Sequence, residues 1–131
     1  MMRPLGIDHV VTRARDLDAM LAFYCEVLGC TIERRRDDLG LSQLRAGNAL
    51  IDLVPVDGKL GAMGGAAPGV EGRNMDHLCL RIADFEVNAV RAHLKAHGVE
   101  PGEEGLRYGS TGEAISIYLS DPDGNALELR A

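Results

Sequence analysis

The sequence predicts an α+β fold built from two βαβββ modules, which form a cupped mixed sheet with helices on its outer face. The first observation is a repeat: residues 7–11 read Ile-Asp-His-Val-Val, and residues 75–79 read Met-Asp-His-Leu-Cys. The second is that each copy precedes a stretch of helical periodicity that ends at a glycine. The third is that short apolar runs typical of strands follow each helix. Two copies of one module explain all three observations.

Size and charge exclude several classes of function. The chain has 131 residues and a net charge of −6, without a basic patch of the kind that binds nucleic acid. No apolar stretch reaches the length that spans a membrane. Three cysteines, an odd number without CxxC spacing, favour a reducing compartment, and we expect a cytoplasmic protein. Half of such a chain is marginal alone, so the two halves should share a core.

The first module, residues 1–56, begins with a β-branched, alternating strand at residues 7–13. Asp16 is a plausible helix N-cap, apolar residues recur at helical spacing through Leu28, and Gly29 ends the helix. Strands are predicted at residues 31–36, 41–45 and 49–55. Residues 57–73 hold six glycines without periodicity, which predicts a linker or mobile loop.

The second module, residues 74–131, repeats this order within what we expect to be one structural domain. A strand at residues 75–82 leads to a helix capped by Asp84 and ended by Gly98, with Val87, Val90 and Leu94 in its buried stripe. The remaining strands are predicted at residues 99–104, 114–120 and 126–130. Residues 121–125, Asp-Pro-Asp-Gly-Asn, form the last turn.

Alternation along the strands separates an apolar face from a polar face. Leu78, Leu80 and Ile82 point to one side of their strand, and the residues between them point to the other. The helices need the apolar side, so the polar side forms the cup. The same count places these polar residues in the cup: Asp52, His77, Arg81, Ser116, Tyr118 and Glu128.

Two histidines and two carboxylates in repeated positions predict a metal site. Asp52 and Glu128 each lie within an apolar run, where a carboxylate is costly to bury unless it is paired or coordinated. With His9 and His77 they make a set of two nitrogens and two oxygens, which suits Ni²⁺, Co²⁺, Mn²⁺, Fe²⁺ or Zn²⁺. Taken singly, a histidine in a strand is usually structural and a glutamate near the C-terminus usually faces solvent. The repeated set of four favours one divalent ion per site.

The sequence resembles the vicinal oxygen chelate superfamily of glyoxalases, epimerases, extradiol dioxygenases and bleomycin resistance proteins. The resemblance covers nearly the whole chain, and its carriers are residues 7–9 (IDH), 23–29 (FYCEVLG), 75–77 (MDH) and 121–129 (DPDGNALEL). It implies paired βαβββ units around one divalent ion, with His9, His77 and Glu128 at the positions of the family's ligands. Asp52 stands where glyoxalase I has a glutamate. That departure leaves open whether Asp52 is a ligand, a catalytic base or a neighbour of the ligands.

Three classes of function stay open after this resemblance. The favoured one is a metal-dependent lyase or isomerase of the glyoxalase type, acting through an enediolate on a substrate with two adjacent oxygens, with Asp52 or Glu128 as the base. The second is an Fe²⁺ extradiol-type dioxygenase with His9, His77 and Glu128 as a facial triad. The third is a metal-free binding or resistance protein, against which the retained His/His/carboxylate set argues. A homodimer is expected, since modules of this superfamily pair within or between chains.

Four further residues are candidates for substrate binding. Arg81 and Tyr118 suit an anionic or oxygen-rich substrate, although a structural pair across strands is as plausible. Arg107 and Tyr108 precede a loop that contains glycine and are candidates to close the cup. We interpret the His93 and His97 pair as a solvated helix face, and Cys79 as a packing residue rather than a nucleophile.

Overall fold

The computed structural model describes all 131 residues, and they divide into two compact units, Met1–Asn74 and Met75–Ala131. Each unit contains one strand, one helix and then three strands, so the predicted α+β class and the βαβββ repeat are confirmed. The first of these units includes residues 57–73, and the linker role expected for them stays a prediction. That the two units form one structural domain stays a prediction. No helix of the chain is long and apolar enough to cross a membrane.

The first unit is a four-stranded mixed sheet with a helix on one side. Its elements are β1 (His9–Ala14), α1 (Leu17–Ala22), β2 (Thr31–Arg36), β3 (Leu41–Ala46) and β4 (Ala49–Pro55). The strand order is β1-β4-β3-β2, with β1 parallel to β4 and the other pairs antiparallel. Ile51 and Leu53 of β4 are buried on the helix side together with Leu44 and Met20. The alternate β4 residues therefore belong to the polar side.

The first helix begins as predicted but continues differently. The Asp16 carboxylate accepts a hydrogen bond from the backbone N–H of Ala19 at 3.0 Å, which is N-capping. After Ala22 the chain widens into a π-helical turn, Phe23–Val27, where a continuous α-helix was expected. Two consecutive aromatic residues of this turn, Phe23 and Tyr24, are both buried. Their rings meet edge to face, with 5.2 Å between the ring centroids. Gly29 follows with a φ of 79°, the left-handed conformation that ends a helix.

The glycine-rich segment is hydrogen-bonded to one arginine of β1. It contains a short 3₁₀ helix, Gly61–Gly64. The Arg13 guanidinium donates hydrogen bonds to the backbone carbonyls of Gly61, Gly65 and Ala66 at 3.0, 2.6 and 2.8 Å. A Cβ at position 64 would lie 2.6 Å from Nε of Arg13, so any other residue there would displace the arginine side chain. Arg13 therefore connects this segment to β1.

The second unit repeats the topology of the first. Its elements are β5 (Leu78–Arg81), α2 (Val87–Ala96), β6 (Glu104–Gly109), β7 (Gly112–Ser120) and β8 (Ala126–Arg130). The order is β5-β8-β7-β6, with β5 parallel to β8 and the other pairs antiparallel. Leu94 of the helix is buried together with Ile117 of β7 and with Leu127 and Leu129 of β8. The final turn lies between β7 and β8, as predicted, and Gly124 within it has a φ of 85°.

Two predicted elements of the second unit were misplaced. The helix cap is Glu86, whose carboxylate accepts from the backbone N–H groups of Asn88 and Ala89, and not Asp84, which has a φ of 53°. Only Leu94 of the expected stripe is fully buried. The strand expected at residues 99–104 lies at Glu104–Gly109, because pairing with β7 decides its place. Arg107 and Tyr108 therefore belong to a strand, and the turn that follows them at residues 110–111 lies between Gly109 and Gly112.

Candidate functional site

The polar side of the second sheet gathers most of the predicted site residues. The register of the strand pairs places these side chains on that side: Cys79, Arg81, Arg107, Ser116, Tyr118, Glu128 and Arg130. We call this surface the polar face of the second unit. His77 immediately precedes β5 and contacts the same surface through Glu128 and Tyr118.

His77 and Glu128 are in direct contact. Nε2 of His77 lies 3.1 Å from Oε2 of Glu128. The other carboxylate oxygen, Oε1, accepts a hydrogen bond from the Ser116 hydroxyl at 2.5 Å. Glu128 is only 6% exposed, so these partners stabilise a carboxylate that has little contact with water. Sequence reasoning placed Ser116 on this face but did not foresee that it binds Glu128.

An aspartate orients the other side of the His77 ring. Nδ1 of His77 lies 2.7 Å from Oδ2 of Asp76, the preceding residue. This hydrogen bond raises the pKa of His77 above its usual value of 6.5, and the nearby charge of Glu128 adds to the effect. With Nδ1 bonded to Asp76, Nε2 is the nitrogen presented to Glu128. The Asp-His repeat noticed in the sequence is thus a hydrogen-bonded pair.

The first unit contains the same arrangement in part. Nδ1 of His9 lies 2.6 Å from Oδ1 of Asp8, and this hydrogen bond raises the pKa of His9. The charge of Asp52 raises it further, because β1 and β4 are adjacent and His9 and Asp52 lie on the same side of the sheet. Each unit therefore presents one histidine, oriented by the preceding aspartate, and one buried carboxylate on a neighbouring strand.

Asp52 differs from Glu128 in having an unsatisfied oxygen. The residue is 3% exposed, and its Oδ2 accepts from Nε2 of Gln43 at 3.2 Å. Its Oδ1 is buried and has no hydrogen-bond partner. Gln43 was not predicted as a site residue, and the only signal for it is its register position opposite Asp52 on β3. A buried carboxylate oxygen without a donor is costly, which fits a role toward a cation or a proton.

The four predicted metal ligands appear as two pairs. In neither unit do three or more His, Cys, Asp or Glu side chains cluster in a way that could hold a metal ion. The first unit offers His9 and Asp52, and the second offers His77 and Glu128. The donor chemistry fits a divalent ion, since imidazole nitrogen and carboxylate oxygen bind borderline and hard cations. The hydrogen bond on each Nδ1 is the contact that usually orients a metal-binding histidine.

Tyr118 and Arg107 lie beside His77 and Glu128. The Tyr118 ring meets the His77 ring edge-on at 5.8 Å between centroids, and Tyr118 pairs with Glu128 in the strand register. Nε of Arg107 donates to the Tyr118 hydroxyl at 3.2 Å, and its guanidinium carbon lies 5.5 Å from the ring centroid. A Cβ at Gly105 would lie 2.6 Å from Nη1 of Arg107, so the glycine makes room for this arginine.

The other two substrate-binding candidates lie apart from that pair. Arg81 is exposed on the polar face, two residues along β5 from Cys79. Tyr108 follows Arg107 on β6, so its side chain points to the opposite side of the sheet. It is 83% exposed beside Leu106. Tyr108 therefore does not lie on the polar face.

Two weaker predictions concerned the thiol of Cys79 and the side chains of His93 and His97. Burial raises the pKa of the Cys79 thiol to about 11, and the charge of Glu128 contributes, which disfavours a thiolate nucleophile. All three cysteines are free. The ring centroids of His93 in α2 and of His97, the C-cap of that helix, lie 4.4 Å apart. Both residues are exposed, and Nδ1 of His97 lies 2.9 Å from the His93 carbonyl oxygen.

Comparison with known proteins gives a consistent result. A family model described as Glyoxalase/Bleomycin resistance protein/Dioxygenase superfamily matches residues 6–129. "Virulence protein STM3117" of Salmonella typhimurium is 30% identical over 94% of this chain and 81% of its own length. The crystal structure of that protein superposes with a TM-score of 0.76, at 28% identity, over 98% of each chain.

Two further relatives have names that describe enzymes. A "Probable lactoylglutathione lyase" of Synechocystis sp. is 32% identical over 92% of this chain and 91% of its own length. "Catechol-2,3-dioxygenase" of Bacillus subtilis is 27% identical over 95% of this chain, which matches only 41% of that protein. The family model covers nearly the whole chain, and the relatives agree with it. This chain is therefore a member of the glyoxalase/bleomycin resistance protein/dioxygenase superfamily.

Proposed function

We propose that this protein is a metal-dependent lyase or isomerase of the glyoxalase type. Its substrate would be a small molecule with two adjacent oxygens, and the reaction would pass through an enediolate. Membership of the superfamily supports this proposal, as does the relative named a probable lactoylglutathione lyase, which this chain matches over 91% of its length. The observation that carries it is the His77–Glu128 contact, with Asp76 on the far side of the ring.

The proposed ligands are His9, Asp52, His77 and Glu128, and the ion would be Ni²⁺, Co²⁺, Fe²⁺, Mn²⁺ or Zn²⁺. When bound, such an ion supplies Lewis acidity toward the two substrate oxygens. Each unit holds one histidine and one carboxylate of this proposed set. A homodimer follows as part of the proposal, with sedimentation at tens of micromolar as its test. The three free cysteines support the proposed cytoplasmic location.

Asp52 is the better placed of the two candidate bases. Both oxygens of Glu128 already have partners, in His77 and Ser116. Oδ1 of Asp52 has none, and Gln43 holds the other oxygen of the same carboxylate. We therefore assign to Oδ1 of Asp52 the acceptance of the proton from the substrate carbon. Glu128 remains the second candidate for this transfer.

Tyr118 and Arg107 are proposed to bind and orient the substrate. The Tyr118 hydroxyl accepts a hydrogen bond from Arg107, which leaves its own proton to be donated to a substrate oxygen. Because Tyr118 contacts His77, that oxygen would lie next to a proposed ligand. Arg81 is kept as a third substrate-binding residue, on the same face.

The alternative function is a dioxygenase. The relative named catechol-2,3-dioxygenase supports it, and His9, His77 and Glu128 would then form the facial triad for Fe²⁺. This chain matches less than half of that protein, which weighs against a shared activity. A metal-free binding protein is the second alternative, and the His/His/carboxylate set of this chain argues against it.

A substrate panel in deuterated water separates these functions. Hemithioacetals and α-hydroxy ketones are incubated with the protein and with Ni²⁺, Co²⁺ or Fe²⁺, and the products are examined by proton NMR. We expect turnover with deuterium at the carbon that lost its proton. Absence of turnover and exchange, together with oxygen consumption on aromatic diols with Fe²⁺, would overturn the lyase proposal in favour of the dioxygenase.

A further inference from the structure

The hydroxyl of Ser116 is bonded to one oxygen of Glu128 and leaves the other oxygen to His77. Ser116 lies on β7 and Glu128 on β8, and their side chains meet diagonally, because the direct register partner of Glu128 is Tyr118. The Ser116 hydroxyl donates to Oε1 at 2.5 Å, a length typical of a hydroxyl bonded to a charged carboxylate. Oε2 lies 3.1 Å from Nε2 of His77. The two oxygens of this carboxylate therefore have different neighbours.

Burial makes the contact between Ser116 and Glu128 difficult to replace. Ser116 is 0% exposed and Glu128 is 6% exposed. Ser116 stands between Ile115 and Ile117 in β7, and a hydroxyl buried in such a strand is costly unless it has a hydrogen-bond partner. Removing the hydroxyl would take a donor from Oε1 in a place where water is a poor substitute.

The first unit contains the same arrangement on equivalent strands. Gln43 lies on β3 and Asp52 on β4, which correspond to β7 and β8 in the strand order of the second unit. Nε2 of Gln43 donates to Oδ2 of Asp52 at 3.2 Å, and Oδ1 has no hydrogen-bond partner. In each unit, a polar side chain of the preceding strand thus holds one oxygen of the buried carboxylate. Two different residue types make this contact, which indicates that it belongs to the repeated arrangement.

We propose that Ser116 positions Glu128 so that this carboxylate binds the metal ion through Oε2 alone. The inference rests on the proposed function, because it concerns how one of the proposed ligands is held. Oε2 is the oxygen beside Nε2 of His77, so the two ligand atoms of this unit are neighbours. A carboxylate can bind a cation through one oxygen or through both. Held to one oxygen, Glu128 takes a single position at the ion and leaves room for the two adjacent oxygens of the substrate.

The first test uses the metal-free protein and does not depend on metal binding. Crystal structures of the unchanged chain and of Ser116→Ala, both prepared with a chelator, are compared at the side chain of Glu128. We expect the carboxylate to turn in Ser116→Ala, so that the contact between Oε2 and Nε2 of His77 is lost or divided between two conformers. A Glu128 side chain that keeps its position in this variant would overturn the inference.

The second test measures the affinity for Co²⁺ by competition with a chelating dye. Ser116→Ala should bind Co²⁺ about 10- to 100-fold more weakly, the usual loss when a contact that orients a metal ligand is removed. Ser116→Thr keeps the hydroxyl and should bind nearly as well as the unchanged protein. Infrared difference spectra between the Co²⁺-loaded and metal-free forms report the binding mode, because the two carboxylate stretching bands lie further apart in one-oxygen binding. We expect their separation to narrow in Ser116→Ala.

Ser42→Ala is the matched control, because Ser42 is a buried serine of β3 whose side chain points to the side opposite Asp52. It should leave the Co²⁺ affinity and the infrared bands unchanged. Equal losses of affinity in Ser42→Ala and Ser116→Ala, or unchanged affinity in Ser116→Ala, would overturn the inference. Absence of Co²⁺ binding by the unchanged protein would instead overturn the proposed function, and the metal-free structures would still decide whether Ser116 positions Glu128.

Discussion

The imidazole of His77 lies between two carboxylates. Its Nε2 is 3.1 Å from Oε2 of Glu128, and its Nδ1 is 2.7 Å from Oδ2 of Asp76. Both contacts favour a positive charge on the ring, and the pKa of His77 is accordingly raised. A divalent cation bound at Nε2 would supply that positive charge instead. The same contacts that raise the pKa of His77 also orient its ring, as a metal ligand requires.

Replacing Asp76 by asparagine should lower the pKa of His77. The Asp76 contact is the largest cause of the raised value, so we expect the midpoint of His77 to fall toward 6.5 in Asp76→Asn. Because the pKa of His77 is higher in the folded than in the unfolded protein, protonation of His77 stabilises the fold. This stabilisation is complete below about pH 6.5, the unfolded value, and is lost as the pH rises through the pKa of the folded protein. Proton NMR titration of the metal-free protein measures the midpoint. Asp57→Asn, which changes an exposed aspartate, is the control. An unchanged midpoint in Asp76→Asn would contradict the assigned cause.

The role of Asp52 is decided by comparing activity with metal content in Asp52→Ala. If Oδ1 of Asp52 accepts the substrate proton, the rate should fall about 100- to 10,000-fold while metal content changes much less. If Asp52 is also essential for holding the metal ion, both quantities should fall together. Gln43→Ala should give a smaller loss of rate, because it frees the Asp52 side chain without removing the carboxylate. Full activity in Asp52→Ala would exclude both roles.

Two tyrosines allow a matched test of the polar face. Tyr118→Phe removes the hydroxyl that accepts from Arg107, and we expect catalytic efficiency to fall about tenfold or more. Tyr108→Phe removes the same atom from an 83% exposed side chain on the opposite side of the sheet. It should leave the kinetics unchanged. Equal effects of the two substitutions on kcat/KM would show that Tyr118 does not contact the substrate.

Gly109 should be intolerant of a side chain. A Cβ there would overlap Nη1 of Arg130, so Gly109→Ala must displace a buried guanidinium or strain the β6–β7 hairpin. We expect a loss of about 1–3 kcal/mol in the free energy of unfolding, as for other overpacked sites. Urea denaturation measures it, with Gly72→Ala as the control, since a Cβ at Gly72 meets no atom within 4 Å. Equal stability of both variants would mean that Arg130 can move away at little cost.

Most strand positions could be predicted because local signals agree with the tertiary pairing. Residues 31–36, 49–55 and 126–130 form strands within the predicted bounds, since apolar alternation and flanking turns define them. The strand at Glu104–Gly109 has two glycines and no β-branched residue, so only its pairing with β7 identifies it. A prediction from local propensity therefore put this strand at residues 99–104, several residues before its observed position.

The contacts within the site were less predictable than its residues. The repeat identified His9, His77 and the two carboxylates, because it is visible in the sequence alone. The contacts of Ser116 with Glu128 and of Gln43 with Asp52 depend on strand register, and a slip of one residue would turn each side chain to the other face. For the same reason, nothing in the sequence separated Arg107 from Tyr108.

Metal content tests the central claim of this account most directly. The chain is purified without a metal-affinity tag, and its metals are measured by elemental analysis together with those of His77→Ala and Glu128→Ala. We predict close to one divalent ion per proposed site in the unchanged protein and loss of stoichiometric metal in both variants, because each removes a ligand. His93→Ala, on the exposed face of α2, should keep its metal. Full metal occupancy in His77→Ala, or none in the unchanged protein after exposure to Ni²⁺, Co²⁺, Fe²⁺, Mn²⁺ and Zn²⁺, would contradict the claim.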